Sequence, residues 1–401
     1  MGATQIRGDA EPGTLSLGRC IAAHRSAADV VLRTPAIPSA ALSERCGGTI
    51  VLKAECLQRT GAFKLRGALS KLRALGGAER GVVAGSAGNH AQGVAFAARH
   101  RGIPCEIFMP VEASRAKLTA VKALGATVRL EGETVEETLA AARERAADAG
   151  MAFVHPYDDL DVIAGQAGVG IELAEDVDAL AKVVVPLGGG GLASGAAFAL
   201  KQLRPEVEVV AVELGAVRRG PVDTIADGIA VRRVGERNAP LLERWVDDIV
   251  RVEDDAIGEA MVQLLAGAKL VVEGAGATPL AALLSGLVAP AQHGATALVV
   301  SGGNVDTALL ASIVSRVDAR EGRRARIVTR VSDRPGALAA LLAVLARCQA
   351  NVVQLEHLRD EAELPLRAAA VALTVDVDDD AHQRRVLAEL AAGGYELRTG
   401  R

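Results

Sequence analysis

From Gly48 to Leu214 the chain alternates short apolar runs with longer amphipathic ones, and this alternation limits what it can fold into. GTIVLKAE is followed by AFKLRGALSKLRAL, GVVAGSAG by HAQGVAFAARH, CEIFMP by SRAKLTAVKALG, and TVRL by TVEETLAAARERAADAG. AFVHP then precedes a helix from Val162, KVVVPL precedes a helix from Gly191, and EVEVVAVEL closes the series. Short strands separated by helices predict βαβ units and a parallel sheet. The strands lack apolar–polar alternation, as expected when helices cover both faces. The fold class is therefore expected to be α/β.

Beyond Arg320 the pattern changes. ARIVTRVSD reads as a strand, and RPGALAALLAVLARCQ as a helix with proline at its start. NVVQLEHLRD and AAAVALTVDVD read as two strands, HQRRVLAELAAGG as a helix closed by glycine, and YELRT as a last strand. That order, βαββαβ, is the ferredoxin-like α+β plan. The charged, glycine-containing SRVDAREGRR between the two regions reads as a linker.

Composition narrows the partners. Half of the 401 residues are hydrophobic, which is ample for a core. The net charge is −4 and only 2% of residues are aromatic, so neither nucleic acid nor an anionic membrane is an expected partner. Cys20, Cys46, Cys56, Cys105 and Cys348 are scattered without a CxxC, which reads as reduced thiols in a cytoplasmic protein. The opening MGATQIRGDAEPG has no apolar segment, so no signal peptide is expected. The uncharged stretches Val183–Leu200 and from Gly274 up to Asp306 are broken by glycine, proline or polar residues. They read as buried strand–helix junctions, not as membrane spans.

Four stretches carry chemistry. Lys64 follows Phe63 just inside a helix start; a lysine among apolar neighbours loses ammonium solvation and becomes a nucleophile, although most helix lysines are simply surface residues. Gly85-Ser86-Ala87-Gly88-Asn89-His90 joins a strand to a helix, where backbone N–H groups bind anions; Asn89 as a plain helix cap is the alternative. Gly188-Gly189-Gly190-Gly191 follows a buried strand and reads as a phosphate cradle at a helix N-terminus. The same run fits G-x-G-x-x-A at Gly188, Gly190 and Ala193, with Glu213 ending the next strand, so a dinucleotide site stays open here. Ser301-Gly-Gly-Asn304 places a hydroxyl at a strand's C-terminal end, where open α/β sheets bind ligands.

Taken in order, the four stretches resemble the pyridoxal-phosphate enzymes of the threonine/serine dehydratase family, of the tryptophan-synthase-β fold type. TGAFKLRGA is similar to the family's Schiff-base segment, SAGNHAQGVA to its substrate-carboxylate loop, the tetraglycine to its phosphate cup, and SGGN to the segment facing the pyridine nitrogen. HPYDDLDVIAGQ and TIADGIAV also resemble family text. The resemblance implies a two-lobed fold-type-II catalytic region over residues 1–320, with a small lobe over about residues 53–152 inserted in the large one. It implies pyridoxal 5′-phosphate bound covalently to Lys64, with Phe63 beside the ring and Asn89 on its 3′-oxygen. Gly188 to Gly191 and Leu192 would hold the phosphate, and Ser301 would contact the ring nitrogen. Ser86, Ala87, Gly88, Asn89 and His90 would form the substrate loop, orienting an amino-acid carboxylate. The activity implied is β-elimination and deamination of L-threonine; a serine or hydroxyaspartate dehydratase and a serine racemase share the fold.

Asp333-Arg-Pro-Gly336-Ala-Leu338 resembles the first strand–helix turn of ACT regulatory domains, which implies such a domain over residues 326–401, an amino-acid effector and a homo-oligomer. Departures from the family are also visible. Ala62 stands where many relatives carry serine. Ala87 stands where racemases carry a proton-donating serine, which favours elimination. Glu213 matches the first acid of a divalent-cation loop, but Arg219 takes the second acid's place, so no metal is expected.

Overall fold

The computed structural model describes residues 14–77, 80–215, 224–359 and 367–399. The chain divides into two compact units, Met1–Asp306 and Thr307–Arg401.

Among the described residues the first unit holds two sheets. The larger runs β1(Ala36–Pro38)-β2(Thr49–Ala54)-β10(Ala295–Val300)-β7(Leu180–Pro186)-β8(Glu208–Leu214)-β9(Asp248–Val252). The smaller runs β5(Thr127–Leu130)-β4(Cys105–Met109)-β3(Val82–Gly85)-β6(Ala152–Phe153). All pairings are parallel except that of β1 with β2. β1 has no signal in the sequence: three residues with proline at the end carry no periodicity and suit only an edge. Every residue of β10 is buried, which accounts for a sequence that is apolar except at Thr296. Fully burying each such Val or Leu side chain is worth about 1.5–3 kcal/mol. Lys53 and Ala54 lie in β2 and so in the larger sheet, whereas the strands of the smaller sheet fall between Val82 and Phe153.

The topology sets up a site. β2, β10 and β7 are consecutive parallel neighbours, so the loops after their C-terminal ends lie side by side. These loops carry the segments leading to Lys64, Ser301 and Gly188. In the smaller sheet β3 and β6 are parallel neighbours, which pairs Ser86–His90 with the segment from Val154 to Tyr157. Close helix packing adds to this. A Cβ on Gly67 would overlap the Gln166 amide, and one on Gly93 would lie 3.1 Å from the Lys64 carbonyl carbon.

In the second unit β11(Arg324–Ser332), β12(Asn351–Leu358), β13(Ala368–Asp376) and β14(Arg398–Thr399) form an antiparallel sheet in the order β12-β13-β11-β14. β11 alternates buried and open positions, as one-face coverage requires. Helices Ala337–Arg347 and Asp380–Ala392 supply Leu341, Leu345, Val386 and Leu390 to the core. Two local expectations change. Residues 315–320, read as linker, are the end of helix Thr307–Arg320, where Ile313 and Val317 are buried by its apolar face. Helix Ala337–Arg347 starts after Gly336 at φ +91°, so Pro335 precedes the helix instead of opening it. Among the described residues no helix is long and apolar enough to cross a membrane.

Candidate active site

Lys64 is the first residue of helix Lys64–Ala74. Its Nζ donates to the Pro156 carbonyl at 2.8 Å and lies 5.1 Å from the centre of the Phe63 ring. Burial lowers its pKa to about 8, against the opposing pull of the Glu273 carboxylate. Backbone bonds tie this segment to the end of β10: Phe63 N–H donates to Ser301 O at 3.0 Å, and Gly303 N–H to Gly61 O at 2.8 Å. Gly61, at φ +71°, leaves the space that the Asn304 side chain fills. The Ser301 hydroxyl has no partner among the described residues, and the residue is 3% exposed.

The glycine run is built for an anion. The backbone N–H groups of Gly188 through Ala193 have no acceptor among the described residues. Buried N–H groups are almost always paired, so a row of orphans at the start of helix Gly191–Leu203 marks a place for a negatively charged group. Side chains are excluded around it: a Cβ on Gly189 would overlap the Tyr157 ring, and one on Gly190 (φ +98°) would lie 2.7 Å from Asn238 Cβ. Asn238 Nδ2 donates to Tyr157 O at 3.0 Å, bracing the same wall. A phosphate monoester fits this donor set, and a buried, easily deprotonated amine beside it fits an aldehyde. The site therefore suits pyridoxal phosphate.

In the loop after β3, Gly88 is the N-cap of helix Asn89–Arg101, so Asn89 is not a plain cap. The N–H groups of Ala87, Asn89 and His90 have no acceptor among the described residues; Gly88 N–H donates to Ser86 Oγ at 3.1 Å. The His90 side chain departs from expectation. Its Nε2 lies 2.9 Å from Val154 O, its ring is buried with Nδ1 unpartnered, and burial lowers its pKa to about 3. The ring stays neutral and turned into the core, so His90 offers the loop its backbone N–H alone.

Asn89 Nδ2 donates to Glu273 Oε1 at 2.7 Å, and Asn304 Nδ2 donates to Asn89 Oδ1 at 2.7 Å. Glu273 belongs to none of the four stretches. Its only signal in the sequence is that it is the acid immediately before the uncharged stretch from Gly274. A second group missed by the motifs lies behind the Lys64 helix. Arg66 Nε and Nη2 donate to Glu55 at 2.8 Å, and Arg66 Nη1 and Nη2 donate to Glu172 at 2.7 and 2.9 Å. Lys53 Nζ donates to Glu172 Oε2 at 2.6 Å and to Thr34 O at 2.7 Å, and the Thr34 hydroxyl donates to Glu55. Gly168 makes room for the Arg66 guanidinium, which a Cβ there would meet at 3.2 Å.

Glu213 is committed elsewhere. Its Oε1 accepts from Arg251 Nε at 2.6 Å, which removes the free carboxylate a ribose would need. No cluster of three or more potential metal ligands occurs among the described residues, and Arg219 lies outside them.

Comparison with known proteins identifies the family. Residues 27–303 match the family described as pyridoxal-phosphate dependent enzyme. An L-threonine ammonia-lyase from Thermotoga maritima is 43% identical over 391 residues, covering 94% of this chain and 97% of that one. The structure of a threonine deaminase from T.th. superposes with a TM-score of 0.69 at 40% identity, covering 73% of this chain and 99% of that one. Maize serine racemase superposes with a TM-score of 0.71 at 32% identity, covering 76% and 99% respectively. The chain belongs to the pyridoxal-phosphate dependent enzymes.

Proposed function

We propose that this protein is an L-threonine ammonia-lyase, releasing 2-oxobutanoate and ammonia by β-elimination. The observation that carries the reading is the Lys64 amine, buried beside the Phe63 ring with its pKa brought down to about 8, at the meeting of two loops with unpaired N–H groups. The names of its relatives, L-threonine ammonia-lyase and threonine deaminase, favour the substrate.

Pyridoxal phosphate, when bound, supplies an aldehyde that condenses with primary amines and a conjugated ring that takes up the electron pair released at the α-carbon. Gly188, Gly189, Gly190, Gly191 and Leu192 would hold its phosphate through backbone N–H groups. Phe63 would lie beside the ring, Asn89 would donate to its 3′-oxygen and Ser301 would meet its nitrogen. Lys64 would be the amine that condenses with the aldehyde, and its Nζ, when free, would take the α-proton as general base. A serine at position 301 does not hold a proton on the ring nitrogen as a carboxylate would, which suits prompt elimination. The N–H groups of the Ser86–His90 loop bind the substrate carboxylate and so set the α-C–H direction. Ala87 contributes a methyl group to this loop and no proton, which favours elimination over racemisation.

Hydride trapping followed by mass spectrometry tests the reading. A tag on Lys64, lost in K64A, is expected, together with turnover of L-threonine in a panel of β-hydroxy amino acids. A tag elsewhere, or turnover confined to serine or hydroxyaspartate, overturns it.

The second unit we assign as an ACT-like regulatory domain, a reading supported by its βαββαβ order, with an amino-acid effector and a homo-oligomeric chain. Calorimetric titration of the full chain with isoleucine and valine checks this; no heat and no change in rate sink the effector. The five free cysteines support a reducing, cytoplasmic setting.

A further inference from the structure

Glu273 caps helix Gly274–Leu284 and is 6% exposed. Its backbone N–H donates to Gly302 O at 3.1 Å, so its place is fixed against the segment that follows Ser301. Its Oε1 accepts from Asn89 Nδ2 at 2.7 Å. Asn89 Oδ1 accepts from Asn304 Nδ2 at 2.7 Å, and Asn304 Nδ2 also donates to Thr60 O at 2.8 Å.

The two ends of a side-chain amide have the same outline, so their direction follows from their partners. A backbone carbonyl only accepts, so Thr60 O fixes which end of Asn304 is nitrogen. The second hydrogen on that nitrogen needs an acceptor, and this is Asn89 Oδ1. The nitrogen of Asn89 is thereby turned toward Glu273, with one hydrogen used there and one left over. A carboxyl oxygen in either protonation state accepts that bond, whereas an apolar side chain does not.

The geometry points to Glu273 as a positioning residue: by accepting one Asn89 N–H, and with Asn304 holding the amide oxygen, it leaves a single N–H donor as what Asn89 offers the cofactor's ring oxygen. This rests on the reading given above, in which Asn89 meets that oxygen. Several charged or titratable groups face Glu273, namely Asp227, Lys117, Lys64 and the Cys56 thiol, and burial raises its own pKa to about 7.

The test uses the full chain stripped of cofactor and titrated with pyridoxal phosphate. In E273L the dissociation constant rises about tenfold or more, the loss expected for a misdirected hydrogen bond to a charged oxygen. The pH at which the visible band of the bound cofactor changes rises by about one unit, because a donor to the ring oxygen favours its deprotonated form. E273Q keeps an acceptor and restores both readings to within about threefold of wild type, a bound set by the sub-kcal/mol scale of an intact neutral bond. N304D places an acceptor against the Asn89 oxygen, repeats the E273L effect and serves if E273L does not fold. Wild-type affinity and band titration in E273L or N304D overturn the inference. E273Q as impaired as E273L overturns it too, since charge and not acceptance would then matter. Absence of a hydride-trapped tag on Lys64 in the wild type defeats instead the reading of the site on which it rests.

Discussion

Replacing Arg66 by methionine removes the centre of the buried charge cluster behind the Lys64 helix. Arg66, Glu55, Glu172 and Lys53 are each no more than 2% exposed. The two cations face two carboxylates, so formal charge balances within the cluster. Without Arg66, Glu172 keeps the Lys53 ammonium, but Glu55 keeps only the Thr34 hydroxyl. Breaking a buried ion pair typically costs 3–5 kcal/mol because a charge is left unanswered, and here one guanidinium serves two carboxylates, so the upper figure applies, about 5 kcal/mol. At roughly 2–3 °C per kcal/mol for a unit of this size, the melting temperature falls by about 10–15 °C. Circular dichroism during thermal and urea unfolding at pH 7.5 measures it. The pH dependence has a definite sign. Burial pushes the Glu172 carboxyl up, but Arg66 and Lys53 outweigh burial and its folded pKa lies below the usual value. Stability from that carboxylate is therefore present above its unfolded pKa and lost as pH falls through the folded one. The wild-type and R66M stabilities should converge in acid. Exchanging the whole cluster together (K53M, E55L, R66M, E172L) should recover most of the loss, since apolar replacement of a complete buried cluster is often neutral. An R66M loss under about 1 kcal/mol refutes the reasoning.

Lys64, with its pKa near 8, makes cofactor uptake by the stripped protein pH-dependent: the rate should fall about tenfold per pH unit below 8 as the amine protonates, and a midpoint above pH 10 would contradict the burial argument. Gly189→Ala forces a methyl group into the Tyr157 ring and should cost about 1–3 kcal/mol, read as weaker cofactor binding or a lower melting temperature; Tyr157→Leu in the same chain should restore part of it. Burial raises the thiol pKa of Cys20 and Cys105 to about 12 and of Cys56 to about 11, so at pH 7.5 a thiol reagent should leave them slow while half-buried Cys46 reacts first; rapid labelling of Cys56 would count against this.

Much of this architecture is legible in the sequence because it is local. A strand buried on both faces, such as β10 or the Val183–Pro186 part of β7, is almost wholly apolar, and a loop that admits no side chain, such as Gly188–Gly191, must be glycine. The partners that complete the site are not local. Asn89 meets Glu273 across 184 positions and Asn304 across 215, and Arg66 meets Glu172 across 106. A single buried carboxylate has no period and no spacing, so Glu273 is marked only by its place before an uncharged stretch. The edge strand β1 and the helix over residues 315–320 were hidden for related reasons. The first is too short for a pattern, and the second sets Arg316, Asp318 and Arg320 around a single buried apolar residue, Val317.

Main-chain amides do not titrate, and the N–H row of Gly188–Ala193, which has no acceptor among the described residues, is main chain throughout. The donors of such a grip are the same from acid to alkaline solution, so only the second ionisation of a phosphate monoester, at about pH 6, would alter it, while the amine of Lys64 gains and loses its proton at about 8. Mild acidification would thus loosen a tether on Lys64 before it weakens the hold on a phosphate, and a protein returned to neutral pH would have its cofactor still in place to rejoin.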